Sequence, residues 1–267
     1  RNSKLSSHRD AIVDVKFTSK STVVSVSADS VVNVTDIDAK RITIIKKISS
    51  LDVPEKTLEE WKVLSSSMFI VDDKLDDIID PAERLKLENK IINFLKGDVV
   101  DFLTDKNLER TILNVQNLCV SLEENQKKFF IDSLSGLFKI TEKIKIEKNP
   151  RELFKLTRVE GQIAVRLYLY FLTPEFKKSK KYKQLVHAFT RLGRASNSFD
   201  SFIDLPGDYS NQQVQVPPTV LNRVLFLGSV LSDGLSMARD IGLSKALIKR
   251  ALSAIKHVAL DTKKKSK

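Results

Sequence analysis

Cysteine is all but missing: Cys119 is the only one in 267 residues, so no internal disulfide holds the fold and there is no redox chemistry to read. Glycine and proline are also scarce, at 8 and 7 residues, while hydrophobic residues make up 42% of the chain. That balance suits a sizeable helical core, as one large domain or two small ones, and a single domain is expected. No apolar run approaches the roughly 20 residues that span a bilayer. No signal-peptide pattern opens the chain either. The expectation is a soluble, cytoplasmic protein. Its first residue is Arg1 and not Met, which leaves room for an upstream segment and any address signal in it.

Acidic residues are outnumbered, 34 against 45 lysines and arginines, for a net charge of +11. Such a balance admits nucleic acid, an anionic membrane surface or a polyanionic small molecule as partner. Basic residues interleaved with aromatics, a recognition-helix pattern and a zinc module are all missing, so nucleic acid is not expected. Much of the excess sits in Phe176 to Lys183 and in the tail Lys263 to Lys267. These runs read first as solvated charge and second as a peripheral contact with acidic lipid headgroups. A homodimer is compatible with all of this.

Residues 1–50 form a separate N-terminal segment that reads two ways. Ala11 to Phe17 and Thr22 to Val34 are rich in β-branched residues with partial alternation, which points to strand, and His8 to Asp36 resembles one blade repeat of a WD-type propeller. A lone blade cannot bury its own faces and no second copy follows. The alternative, favoured because the rest of the chain is helical, is a buried Val-rich helix from about Lys20 to Lys47.

From Val53 the helical signals are clear. Thr57 and Glu60 have capping-box spacing, which predicts a helix from about Leu58 that carries Trp61, Leu64, Met68, Val71 and Leu75 and ends before Pro81. Amphipathic helices follow over Ala82–Leu95, Val99 to about Leu122, Gln126–Glu147 and Arg151–Phe171. Next come Lys183–Ile203, Thr219 to about Asp240, and Leu243–Leu260, before the basic tail of 263–267. Cys119 reads as plain core and His187 as structural. Gly161, set among Arg158, Glu160 and Arg166, is a small residue that allows close approach to a neighbouring helix or a ligand.

Two acidic clusters stand out against the basic background. Asp72, Asp73, Asp76, Asp77 and Asp80 crowd the end of the first predicted helix, where the negative end of the helix dipole disfavours them unless cations offset the charge. Asp200, Asp204 and Asp208 are spaced by four, which stacks three carboxylates on one helical face. Pro206 and Gly207 interrupt that set, so the helix is expected to kink or end near Asp204 or Leu205 and to leave Asp208 in a turn. The plain reading of either cluster is a solvated acidic surface. The sharper one is a shared cation site.

The two motifs, Val71-Asp-Asp-Lys-Leu-Asp-Asp77 and Asp200-Ser-Phe-Ile-Asp204-Leu-Pro-Gly-Asp208, resemble those of the class I isoprenoid synthases. Phe202 to Pro217 is especially similar to the second motif of squalene and phytoene synthases. The resemblance covers about Leu58 to Leu260. It implies an all-α fold over 51–262, a single large helical bundle around a central cavity. It also implies three Mg²⁺ and a prenyl diphosphate substrate. By the same resemblance Asp72, Asp73 and Asp76, with Asp77 beside them, and Asp200, Asp204 and Asp208 are the metal-binding and catalytic carboxylates. Arg158, Arg194, Arg223 and Tyr209 are candidates for gripping diphosphate, by chemical type and position. The Tyr-x-x-x-Arg that usually precedes the first motif of squalene and phytoene synthases is replaced by Ser65-Ser66-Ser67-Met68-Phe69-Ile70. Aromatic content of 7% is low for a terpene cyclase. The resemblance therefore implies metal-dependent ionisation of a prenyl diphosphate, with prenyl transfer and cyclisation both open. A non-catalytic helical scaffold with a small N-terminal β module is the competing class.

Overall fold

A computed structural model describes residues 12–19, 22–27, 32–36, 53–100 and 105–240. The first three segments are strands, β1 (Ile12–Ser19), β2 (Thr22–Ser27) and β3 (Val32–Asp36), paired in the order β1-β2-β3 as an antiparallel meander. The helix read from Lys20 to Lys47 is therefore corrected over β2 and β3. Their β-branched residues lose side-chain freedom in a helix and fit a pleated surface, and local propensity prevailed over the helical context. The remainder of that stretch, the predicted helix 243–260 and the basic tail 263–267 lie outside the described residues.

From residue 53 onward every described element is a helix: α1 (Glu55–Asp76), α2 (Pro81–Lys96), α3 (Lys106–Val120), α4 (Glu124–Ile146), α5 (Pro150–Leu169), α6 (Pro174–Lys178), α7 (Lys180–Ser210) and α8 (Val220–Asp240). This is the expected all-α body. Where one domain is expected over 51–262, its helices group into two compact units, α1–α3 with the strands and α4–α8. Among the described residues no helix is long and apolar enough to cross a membrane.

Helix boundaries follow side-chain caps. The predicted capping box at Thr57 does not form: α1 starts three residues earlier, behind Pro54, and Thr57 is buried inside the helix. Glu60 instead faces Lys56 one turn back at 3.8 Å, and burial pushes its carboxyl above the ordinary range. Pro54 supplies the start by its fixed φ of −56°, without needing a side-chain acceptor. Asp80 caps α2 by accepting from the Ala82 amide at 2.9 Å, with Pro81 in the first helical position, and Gly97 closes that helix at φ 105°. Asn149 and Thr173 cap α5 and α6 in the same way.

In the first unit α1 packs through Leu58, Trp61, Leu64, Val71 and Leu75. The predicted apolar stripe is thus the buried face, with Met68 half-buried beside it. Lys74 on the last turn of α1 reaches Asp105, the cap of α3, at 2.7 Å. Hydrogen bonding to Lys74, then to the Leu108 amide, holds the Asp105 carboxyl below its ordinary range.

In the second unit α5 and α7 cross at Gly161 and Gly193. A Cβ placed on either glycine would lie inside 3.0 Å of the other's carbonyl group, so the two backbones are in contact. The close-approach reading of Gly161 is settled in favour of a neighbouring helix. Below the crossing, Leu153, Phe202, Leu205, Val214, Val216 and Phe226 form one core cluster. Val214 and Val216 come from the polar-looking loop after α7, which is therefore anchored rather than loose.

This packing makes the glycines unequal. Gly161→Ala or Gly193→Ala overpacks the crossing and is expected to lower stability by about 2 kcal/mol in urea denaturation. Gly136→Ala in α4, where a Cβ meets nothing within 4 Å, is expected to raise it by about 0.5 kcal/mol. The Asp105 carboxyl is depressed on folding, so its contribution is fully present above the ordinary value of 3.8 and is lost as pH falls through the lower folded value. Thermal melts of the chain and of Asp105→Asn should therefore differ by a constant gap above about pH 5 that closes as pH drops below 3.8. A gap that persists at the acid end would contradict this assignment.

Candidate functional site

The carboxylates named by the sequence fall on two elements, one in each unit. Asp72, Asp73 and Asp76 occupy the last two turns of α1, with Asp77 as its C-cap. Asp72, Asp73 and Asp77 are exposed and Asp76 is half-buried. Asp80 is set apart from them, because its side chain is turned to the start of α2, where the helix dipole favours it. Arg84, buried one turn into α2, donates to the carbonyls of Ile78 and Ile79 at 2.6 and 2.9 Å and closes the loop between the two helices. It brings a fixed positive charge to the acidic end of α1. No periodic signal in the sequence marked it, since an arginine inside a charged amphipathic helix looks like surface.

The second motif departs from expectation. The predicted stop near Asp204 does not occur: α7 runs through Pro206 to Ser210, and Asp208 lies in the helix and not in a turn. Asp200, Asp204 and Asp208 are consequently all helical, one turn apart on one face, the first exposed and the other two half-buried. Proline has no amide to donate, so the carbonyl of Phe202, four residues back, loses its helical partner. Arg223 of α8 replaces it: Nε donates to the Phe202 oxygen at 3.0 Å, with the guanidinium 4.7 Å from the Phe202 ring centroid. At the far end the Asp208 carbonyl accepts from the amides of Gln213 and Val214, which ties the loop back to the helix. No basic residue occupies the last turn of α7, so that turn adds no positive charge of its own to the negative helix end.

The four diphosphate-gripping candidates are placed as follows. Arg158 on α5 pairs with Asp233 on α8 at 2.9 Å, stacks over the Phe154 ring, and shares Asp233 with the Ser229 hydroxyl at 3.1 Å. Arg194 donates from Nε and Nη2 to the side-chain carbonyl of Gln162 across the glycine crossing, at 3.1 Å for Nε. Arg223 is turned to Phe202, and its buried Nη2 meets no acceptor among the described residues. Tyr209 is exposed at the end of α7. Beside the crossing, Glu160 accepts from Thr141 at 2.6 Å and from Asn197 at 2.9 Å, tying α4, α5 and α7 together. Asp233 and Asn197 escaped the sequence reading. For Asp233 a signal was there, because it is the only carboxylate between Val220 and Met237.

Mg²⁺ is the metal that the motifs imply, and the donor set decides how it fits. Among the described residues no three carboxylate, histidine or cysteine side chains converge as a ready-made metal cage. Mg²⁺ does not need one: it keeps several waters and is usually held by one or two carboxylates together with phosphate oxygens of a substrate. Aspartates one helical turn apart suit that second mode. No protein-family model matches the chain, and no curated protein and no solved structure matches it either.

Arg158 is thus held by the protein itself. Arg158→Met leaves the buried Asp233 carboxylate with Ser229 alone, and is expected to cost about 3 kcal/mol in urea denaturation. Combining it with Asp233→Leu should recover most of that loss. An Arg158→Met variant as stable as the parent chain would return Arg158 to the list of ligand-binding residues.

Proposed function

We propose that the chain is a Mg²⁺-dependent enzyme of the class I isoprenoid synthase type, which ionises a prenyl diphosphate. The observation that carries this reading is the unbroken passage of α7 through Pro206, which keeps Asp200, Asp204 and Asp208 on one helical face in the spacing of the second motif. Asp72, Asp73 and Asp76 on α1 are the partners assigned from the first motif. These carboxylates would hold Mg²⁺, and Mg²⁺, when bound, supplies the positive charge that lets the diphosphate leave.

The chain's own contribution is to hold and orient. The carboxylates of α7 are fixed on a helix whose other side is pinned by Phe202 and Leu205 in the core, so their spacing is set before any substrate arrives. The exposed Tyr209 hydroxyl, next to Asp208, is the polar group we assign to a diphosphate oxygen. Arg158 and Arg223 are assigned to the fold, since one is turned to Asp233 and the other to Phe202. Substrate chain length, and transfer against cyclisation, are left to experiment. The competing reading, a helical scaffold with a β module, draws its support from the β1–β3 meander.

The test is release of inorganic diphosphate from geranyl, farnesyl and geranylgeranyl diphosphate, with and without Mg²⁺. Release is expected to require the metal and to fall by about 100-fold or more in each of Asp72→Ala and Asp204→Ala. Absence of release from all three, together with no Mg²⁺-dependent retention of an unreactive thiolodiphosphate analogue, would transfer the assignment to the scaffold.

A further inference from the structure

Pro206 sits inside the second motif without breaking it. A proline within a helix removes one hydrogen bond and its ring presses on the carbonyl four residues back, so a helix commonly kinks or ends there. In α7 that carbonyl belongs to Phe202, which stands between Asp200 and Asp204 in the chain. The Phe202 side chain is buried in the core cluster, where an unpaired carbonyl nearby is costly to leave.

Arg223 meets both needs of this one residue. Its Nε donates to the Phe202 carbonyl at 3.0 Å and its guanidinium lies over the Phe202 ring at 4.7 Å. Its Nη2 is buried and meets no acceptor among the described residues, so Phe202 accounts for the hydrogen bond and the ring contact by which the group is held. Arg223 in turn is placed by the start of α8, where its amide donates to the Thr219 carbonyl at 3.0 Å. Thr219 also caps the Asn222 amide at 3.2 Å, while the Asn222 side chain donates to Pro217 at 2.9 Å.

We propose that Arg223 is a positioning residue: by taking the carbonyl that Pro206 deprives of an amide, it carries α7 through the proline and keeps Asp208 in helical register with Asp200 and Asp204. It acts through the α7 backbone, with its guanidinium on Phe202. What the register is used for rests on the diphosphate reading above, whereas the helical continuity does not. Loss of Arg223 leaves the Phe202 carbonyl without a donor and removes one of the supports that carry the last turn of α7 past Leu205. An alanine at position 206 restores the amide and makes Arg223 dispensable.

The experiment is a double-mutant cycle on the full chain, comparing Arg223→Met, Pro206→Ala and the two combined. Two readouts are taken: the thermal midpoint, and calorimetric binding of inorganic pyrophosphate in the presence of Mg²⁺. Arg223→Met is expected to lower the midpoint by about 5 °C. It should also weaken pyrophosphate binding by about 10-fold, since the third carboxylate leaves the register. In the Pro206→Ala background the same change should lower the midpoint by less than half as much and alter binding less than about 3-fold. If Arg223→Met proves insoluble, a soluble double variant is the expected rescue. Equal effects of Arg223→Met in both backgrounds, or insolubility in both, would overturn the proposal. Failure of the parent chain to bind Mg²⁺-pyrophosphate would count against the proposed function instead, and coupling in the thermal midpoint would still decide the role of Arg223.

Discussion

The contact of two backbones at Gly161 and Gly193 is the constraint on which the second unit depends. Any side chain there would push α5 and α7 apart, and the pairs on either side of the crossing need the close approach. Glu160 reaches Asn197 on one side and Gln162 reaches Arg194 on the other, through hydrogen bonds that a wider gap would break. Once α5 and α7 are locked in this way, the lower half of α7 is aimed at Leu153 and Phe226, and its opposite face is left to carry the aspartates. The glycines thus help determine which way the second acidic motif faces, Gly193 from two turns earlier on the same helix and Gly161 from α5.

Charge and helix continuity are set against each other at the end of α7. Three carboxylates toward the negative end of a helix dipole favour fraying, and Pro206 adds a missing hydrogen bond at the same place. The helix is held by core burial of Phe202 and Leu205 on one side, by Arg223 on the freed carbonyl, and by the returning amides of Gln213 and Val214. Core burial, Arg223 and the returning amides thus converge on the turns that carry Asp204 and Asp208.

Legibility in the sequence tracked how local each signal is. The apolar stripe of α1 depends on residues a few positions apart and was legible; the caps at Asp80, Asn149 and Thr173 are as local, yet the sequence reading placed a cap only at Thr57, where none forms, and counted Asp80 in the acidic cluster. The acidic clusters are visible in a short window for the same reason, as a spacing of residues. What could not be read was anything that depends on a distant partner. Pro206 predicts a break by every local rule, whereas α7 continues, and the carbonyl that the proline frees is taken by an arginine in the following helix. The pairing of Arg158 with Asp233 was out of reach in the same way, since the two lie on different helices far apart along the chain. The N-terminal segment shows the opposite error: β2 and β3 followed their own β-branched composition, and extending the helical character of the later chain to them was the mistake.

The fate of the arginines bears on how a basic chain would handle an anionic substrate. With Arg158 neutralised by Asp233 and Arg223 turned to a backbone carbonyl, these two positive charges of the second unit are directed inward, to hold helices together. The last turns of α7 carry aspartates and end without a basic residue. In the proposed reading a diphosphate reaches such a face with its own cations, because a diphosphate alone brings only acceptors to a helix end whose last turn has no basic residue. Those cations gain ligands from both the phosphate oxygens and the protein. An acidic face inside a chain of net charge +11 is therefore consistent with an anionic ligand that arrives as its metal complex. In the proposed chemistry the cation is the bridge, shared between the aspartates of that face and the phosphate oxygens.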